Sequence, residues 1–232
     1  MDDDRAPAPA SRLERARYSL VFEANQPAWR PEDGELRVSH LQTGSFSGPL
    51  GSPVGQHRHR RDLTVRTPQP TRRLFSPTSG LVEVTAAASP DDTCMLGLWM
   101  VGLEERPEQS GEICIAELFG HRIGAHGSRV RLGVKSHWDP RLTTDVVDLP
   151  LDIDAAELHS YAAAWDARRV LCYVDDALVR VVEQGTDYPL QLMVDLFEFP
   201  ETADRPRGRY PKSAQVRRVR GYELATGTDG RA

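Results

Sequence analysis

Glu112 and Glu117 stand five residues apart in Ser110-Gly-Glu-Ile-Cys-Ile-Ala-Glu-Leu-Phe-Gly120. A carboxylate pair so spaced can attack a glycosidic bond, provided both side chains reach one face. In a regular strand Ile113 and Ile115 share one face, while Glu112 and Cys114 share the other. Glu117 would then fall beside the isoleucines, a costly place for a carboxylate. A one-residue bulge near Ala116 resets the parity. Glu117 then joins Glu112 and Cys114, and Leu118 returns to the core. Four effective strand steps of ~3.3 Å separate the two backbones by about 13 Å. Side chains leaning together by about 3–4 Å each leave roughly 5–6 Å between carboxyls, near the ~5–5.5 Å of retaining glycosidases and too close for the water of an inverting one. Taken alone, the pattern also fits two glutamates on a solvated strand face.

Other residues could serve the same chemistry. Trp99 is out of phase with Leu98 and Met100. Its ring could carry the apolar side of a sugar, or simply fill a core. His137 is in phase with Arg131 and Lys135 and opposite Val130, Leu132 and Val134, so it can hydrogen-bond a hydroxyl or a carboxylate, or stand on the surface. Trp138, beside the loop signal Asp139-Pro140, and Glu198, after the run Leu190–Leu196, are further candidates for substrate binding. Trp165 and Tyr173 read as packing residues. His57 and His59 form an H-x-H pair in a basic run. A metal site needs further ligands at suitable spacing, and none is visible, so no metal and no cofactor are expected. Gly48 and Gly51 make no phosphate loop, because no Gly-Lys-Ser/Thr follows.

These side chains need strands to hold them. The chain has 232 residues, enough for one large domain. Eighteen Gly and seventeen Pro favour short strands joined by turns over a helical bundle. Period-two runs occur at Val130–Lys135 and Leu190–Leu196, and strand candidates at Gly80–Ala87 and Thr93–Gly102. Val170–Val174 and Ala177–Arg180 flank a tight-turn signal at Asp175-Asp176. The expected fold is all-β, a sandwich of two sheets. One stretch conflicts: Asp154 to Trp165 is alanine-rich with an N-cap candidate, and propensity alone makes it a helix. Residues 1–15 and 226–232 read as flexible tails around a single domain, 16–225.

Twenty-nine Lys+Arg against 34 Asp+Glu give a net charge of −5, a poor match for nucleic acid or an anionic membrane surface. No apolar run is long enough to span a bilayer. The acidic, Pro/Ala-rich start lacks the pattern of a secretory signal, so a cytoplasmic location is expected. Cys94, Cys114 and Cys172 are widely spaced and odd in number, which reads as three reduced thiols.

In order along the chain, these pieces resemble glycoside hydrolase family 16, the laminarinase/lichenase-like enzymes. Glu112-Ile-Cys-Ile-Ala-Glu117 resembles the family's E-I-D-I-x-E strand. Gly80-Leu-Val-Glu83 is similar to its G-x-x-E strand, and Gly97-Leu-Trp99-Met100 to its tryptophan-bearing strand. His159-Ser-Tyr161-Ala-Ala-Ala-Trp165, followed by Cys172-Tyr-Val-Asp175, is similar to its H-x-Y-x-x-x-W…W-Y-V-D-G block, and Tyr188-Pro189-Leu-Gln-Leu-Met to its Y-P-M strand. The resemblance covers about Gly80 to Met193. It implies a jelly-roll sandwich of two antiparallel sheets with a concave sugar-binding cleft. It also implies an extended His159–Trp165, and Trp99 turned to the cleft.

By the same resemblance Glu112 is the nucleophile and Glu117 the general acid/base of a retaining endo-acting hydrolase or transglycosylase. The substrate would be a β-glucan-like polysaccharide or oligosaccharide. Two departures stand out. Cys114 replaces the family's middle aspartate, and Cys172 and Asp176 replace its Trp and Gly. A thiol between carboxylates stays neutral and offers only a weak S–H donor, so activity is expected to be reduced or retuned. Alternatives are a catalytically impaired carbohydrate-binding protein of the same fold and an intracellular jelly-roll interaction module.

Overall fold

The computed structural model describes residues 12–15, 18–29, 34–55 and 62–223. The His57/His59 pair lies outside the described residues. The strands, in chain order, are β1 (Arg12–Arg15), β2 (Tyr18–Phe22), β3 (Arg37–Gln42), β4 (Gly44–Ser45), β5 (Arg72–Arg73), β6 (Gly80–Ala87), β7 (Cys94–Gly102), β8 (Glu112–Phe119), β9 (Ser128–Lys135), β10 (Asp145–Leu151), β11 (His159–Trp165), β12 (Val170–Val174), β13 (Ala177–Val182), β14 (Leu190–Glu198) and β15 (Lys212–Glu223). Helix is confined, among the described residues, to a 3₁₀ turn at Gly120–Arg122, and none is long and apolar enough to cross a membrane.

Two large antiparallel sheets form the sandwich. One runs β1-β15-β6-β11-β12-β13, with β2 also on β15; the other runs β10-β9-β8-β7-β14-β3. Strands adjacent in sequence often lie in different sheets, as in a jelly roll. Alternation explains the core. Val82, Val84, Tyr161 and Ala163 of the first sheet meet Leu96, Leu98, Ile113, Leu132 and Leu192 of the second, all fully buried. The opposite face of the second sheet is left to carry polar groups.

The conflict over Asp154–Trp165 resolves as a turn followed by a strand. The Glu157 N–H donates to the Asp154 carbonyl, and β11 then pairs with β6 on one side and β12 on the other. Two ladders and the burial of Tyr161 and Trp165 outweigh alanine's helix preference. Asp175 and Asp176 both have positive φ, 47° and 64°, and form the tight β12–β13 hairpin with the twist that such turns require. Arg12–Arg15, expected within the tail, pairs with Val219–Tyr222 of β15; the rest of both expected tails lies outside the described residues.

Candidate active site

The site is built on β8, where the ladder carries one extra residue. Against β7, Trp99 faces Cys114 and Leu98 faces Ala116, so Ile115 has no counterpart. Against β9, Cys114 faces Gly133 and Glu117 faces Arg131, three β8 residues spanning two of β9. Ile113, Ile115, Ala116 and Leu118 therefore all enter the core, and Glu112, Cys114 and Glu117 gather on the outer face. One carboxylate oxygen from each glutamate and the Cys114 Sγ lie within 4.8 Å of one another. That separation is close to what a retaining double displacement uses. Gly133, opposite the bulge, has φ +140°, and a Cβ there would come within 2.1 Å of the Asp145 carbonyl oxygen.

Glu112 and Glu117 are only 1% and 5% exposed, so their charges need partners. Lys135 at the end of β9 supplies one to both. Its Nζ lies 2.9 Å from Glu112 Oε1 and 2.5 Å from Glu117 Oε1. His137 Nε2 donates to Glu112 Oε2 at 2.7 Å. Arg131 stands 3.8 Å from Glu117 but spends its guanidinium mainly on Asp148, at 2.8 Å. Burial acts to raise the Glu112 carboxyl. The His137 hydrogen bond and the Lys135 charge outweigh it and hold that carboxyl below its ordinary value, so it is ionised. Burial acts to lower Lys135, but the charges of Glu112 and Glu117 push it up. Burial raises the Cys114 thiol well above its usual range, helped by the charges of Glu117 and Glu112. That thiol is neutral, and its S–H points to the Arg131 carbonyl, 3.4 Å away, rather than to either glutamate.

A loop after β9 aims His137. The residue sits at φ +44°, a left-handed conformation that costs a non-glycine residue of order 1–3 kcal/mol unless its surroundings fix it. They do: the Trp138 N–H donates to Ser110 Oγ at 2.9 Å. Tyr188 donates its hydroxyl to Asp139 and accepts the Gly111 N–H, each at 2.8 Å. The loop is thus tied to the start of β8.

A groove of about 690 Å³ opens beside Glu112 across β14 and β3, walled by the segment around Phe46 and Leu63–Thr67. Trp99, expected on this face, lines it and stacks on Phe197 at 5.6 Å and 12°. The indole lies over Gly97, where any Cβ would meet its Nε1 at 1.9 Å, so only glycine admits this ring. Asp195 lies opposite Gly97 on β14 and is 1% exposed. Neither Asp195 oxygen nor Trp99 Nε1 has a hydrogen-bond partner. Burial, and then the charge of Glu112, push the Asp195 carboxyl well up, leaving a neutral acid on the groove floor.

Of the residues singled out in the sequence, Glu112, Glu117, Cys114, Trp99 and His137 come together. Trp138 is half-buried beside them but is not a wall of the groove. Glu198 does not face the groove, contrary to expectation. It is in phase with Val194 and Leu196 and therefore points between the sheets. There it bonds Lys212 at 2.8 Å, Arg37 at 3.0 Å and Tyr210 at 2.7 Å. Lys135 and Asp195 were not anticipated as site residues, although the alternation of their strands put each on the polar face. Glu112, Cys114 and Glu117 are spaced as metal ligands, but the Lys135 ammonium, ion-paired with both carboxylates, already supplies the positive charge there.

No model of a known protein family and no curated protein matches the chain. Solved structures do. The GlcNAcα1-4Gal-releasing endo-β-galactosidase from Clostridium perfringens superposes with a TM-score of 0.73 at 21% identity, over 88% of this chain and 51% of that one, so the chain spans about half its length. The apo Crh5 transglycosylase matches with a TM-score of 0.55 at 13% identity, over 89% of this chain and 72% of that one. SCLam, a non-specific endo-β-1,3(4)-glucanase from family GH16, matches with 0.53 at 16% identity, over 85% and 80%. The fold is that of glycoside hydrolase family 16. In the family 16 fold of this chain, the extra residue of β8 is what turns both glutamates outward.

Proposed function

We propose that the protein is a retaining glycoside hydrolase, or a transglycosylase, acting on a β-linked polysaccharide or oligosaccharide bound along the groove. One observation carries the reading: two carboxylates of one bulged strand come within 4.8 Å of each other, and Glu112, the one held ionised, lines the groove. Glu112 attacks the anomeric carbon and the bond to the leaving oxygen breaks, with Glu117 delivering that oxygen its proton. Glu117 then takes a proton from water or from an acceptor hydroxyl, the new oxygen bonds to the anomeric carbon, and Glu112 leaves as a carboxylate. Trp99 offers the sugar an apolar platform. The solved neighbours, named for β-galactoside and β-glucan cleavage and for transglycosylation, support a glycan substrate.

The test is product release from laminarin, lichenan and β-galactan. The parent protein should cleave at least one, and Glu112→Gln should lose about 10³-fold or more while still binding it. Binding by the parent with no cleavage of any glycan would overturn the hydrolase reading in favour of a carbohydrate-binding protein. One observation favours that second reading: the thiol at position 114 makes no bond to either glutamate.

A further inference from the structure

We propose that Lys135 is the proton store of this site: it supplies, through Glu117, the proton taken by the leaving oxygen, and recovers it in the second step. The inference rests on the reading of Glu112 as nucleophile and Glu117 as acid/base.

The geometry begins with a single ammonium between two buried carboxylates, 2.5 Å from Glu117 and 2.9 Å from Glu112. The Trp99 ring closes a further side, 5.6 Å away. The proton nearest to the acid/base carboxylate is therefore one of those on Lys135 Nζ. Cys114, at the middle position, cannot hold a proton between the glutamates, since its S–H is given to a backbone carbonyl. The charge changes of the reaction then favour transfer. While Glu112 is ionised, the ammonium faces two negative groups and is held firmly. When Glu112 forms its ester with the sugar, the charge 2.9 Å from Nζ disappears. The ammonium thus loses half of its counter-charge at the moment when an alkoxide, a stronger base than an amine, is leaving.

The steps balance. The Glu112 oxygen bonds to the anomeric carbon, whose bond to the leaving oxygen breaks. A proton passes from Nζ to the Glu117 carboxylate and from Glu117 to that oxygen, leaving a neutral amine. In the second step Glu117 takes a proton from water and the hydroxide oxygen bonds to the anomeric carbon. The ester bond breaks with its electron pair returning to Glu112, and the proton on Glu117 moves to Nζ. The groups facing Nζ are Glu112, Glu117 and Cys114 of β8 and the Trp99 ring of β7. Arg131 stands beyond Glu117, and His137 and Asp195 stand beyond Glu112.

The test compares leaving groups in Lys135→Arg, which keeps the charge and does not release a proton, and in Lys135→Met. The probes are methyl and 2,4-dinitrophenyl β-laminaribioside, with the corresponding pair on the disaccharide unit the parent releases from the glycan panel. Dinitrophenolate leaves without a proton, whereas methoxide needs one. With a proton store at Lys135, Lys135→Arg loses about 10²-fold or more in kcat/KM on the methyl glycoside and less than about tenfold on the dinitrophenyl glycoside. The alkaline limb of the parent's pH profile on the methyl glycoside lies above the ordinary amine range, because the two carboxylates hold the Lys135 ammonium charged, and in Lys135→Met it falls toward the carboxyl range. Equal losses on both glycosides, an unmoved alkaline limb, or full activity of Lys135→Arg on the methyl glycoside would each overturn the proposal. Since both glycosides meet the same folded protein, a general folding defect would show as equal losses. A parent silent on every glycan refutes the hydrolase reading itself, which is a different outcome from an active parent indifferent to Lys135.

Discussion

Replacing Cys114 by aspartate would place a third carboxyl within 4.8 Å of the two glutamates. At an effective dielectric of about 20, two unit charges at that separation repel by about 3–4 kcal/mol. Two glutamates double the repulsion, and Lys135, which touches both, offsets about one of the two. The net penalty of about 3–4 kcal/mol corresponds to about 2–3 pK units, so the introduced carboxyl would titrate near pH ~6–7 instead of ~3.9. At pH ~5–5.5, below that value, it would be largely protonated, with an O–H donor set between Glu112 and Glu117, where the present S–H turns to the Arg131 carbonyl. Hydrolysis of a substrate with a poor leaving group should therefore rise, by about tenfold if the bond is as strong as a typical charge-assisted one.

The same shift has a consequence for stability. A carboxyl whose folded pKa is raised destabilises the fold above its unfolded value. The variant should match the parent near pH ~4 and lose ground as pH rises from about 4 to about 7, ending about 3 kcal/mol below it. That is a Tm lower by about 6–12 °C for a chain of this size. Thermal melts across that range, paired with reducing-end assays at pH ~5–5.5, where the introduced carboxyl keeps its proton, make the check. A variant that melts as expected but hydrolyses more slowly than the parent would refute the reasoning, because the thiol would then have a role of its own. A pH-independent Tm would show that the inserted carboxyl does not face the glutamates at all.

His137→Asn keeps a residue that tolerates the left-handed backbone but is too short to reach Glu112. The lost bond, about 1.5–3 kcal/mol for a charged acceptor, should move the acid limb of kcat/KM upward by about 1–2 units, since Glu112 must be ionised to attack; an unmoved limb would mean that His137 does not hold the nucleophile. Asp195→Asn should leave the fold unchanged near pH ~4 and raise its Tm at mildly alkaline pH. A buried acid pushed up in the folded state loses stability as pH rises above its unfolded value, and the amide has no such loss; equal Tm gains at both pH values would count against a neutral Asp195.

How much of this could be read from the chain depends on which geometry a residue answers to. Alternation within a strand is local. It put Glu112 and Cys114 on one face, and the cost of a carboxylate among isoleucines was enough to demand the bulge that β8 shows. It also set Lys135 and Asp195 on polar faces. Glu198 was misplaced because its phase with Val194 and Leu196 persists past the apolar run and carries the carboxyl between the sheets. For His159–Trp165 local propensity pointed to helix; the family resemblance pointed to a strand, and two flanking ladders decided it.

Contacts across strands are set by register, which no single segment encodes. Lys135 faces Glu112, and Glu117 faces Arg131, with Gly97 and then Asp195 continuing that row. Without the extra residue of β8, counting on from Cys114 and Gly133 would set Glu117 against Val130, a core position. The glutamate would be buried among aliphatics, and the Lys135 ammonium would keep only one carboxylate. The bulge therefore does more than reset a side chain's direction. It brings Lys135 between the two acids, so the charge that makes their burial tolerable and the proton that the chemistry requires reside on the same nitrogen.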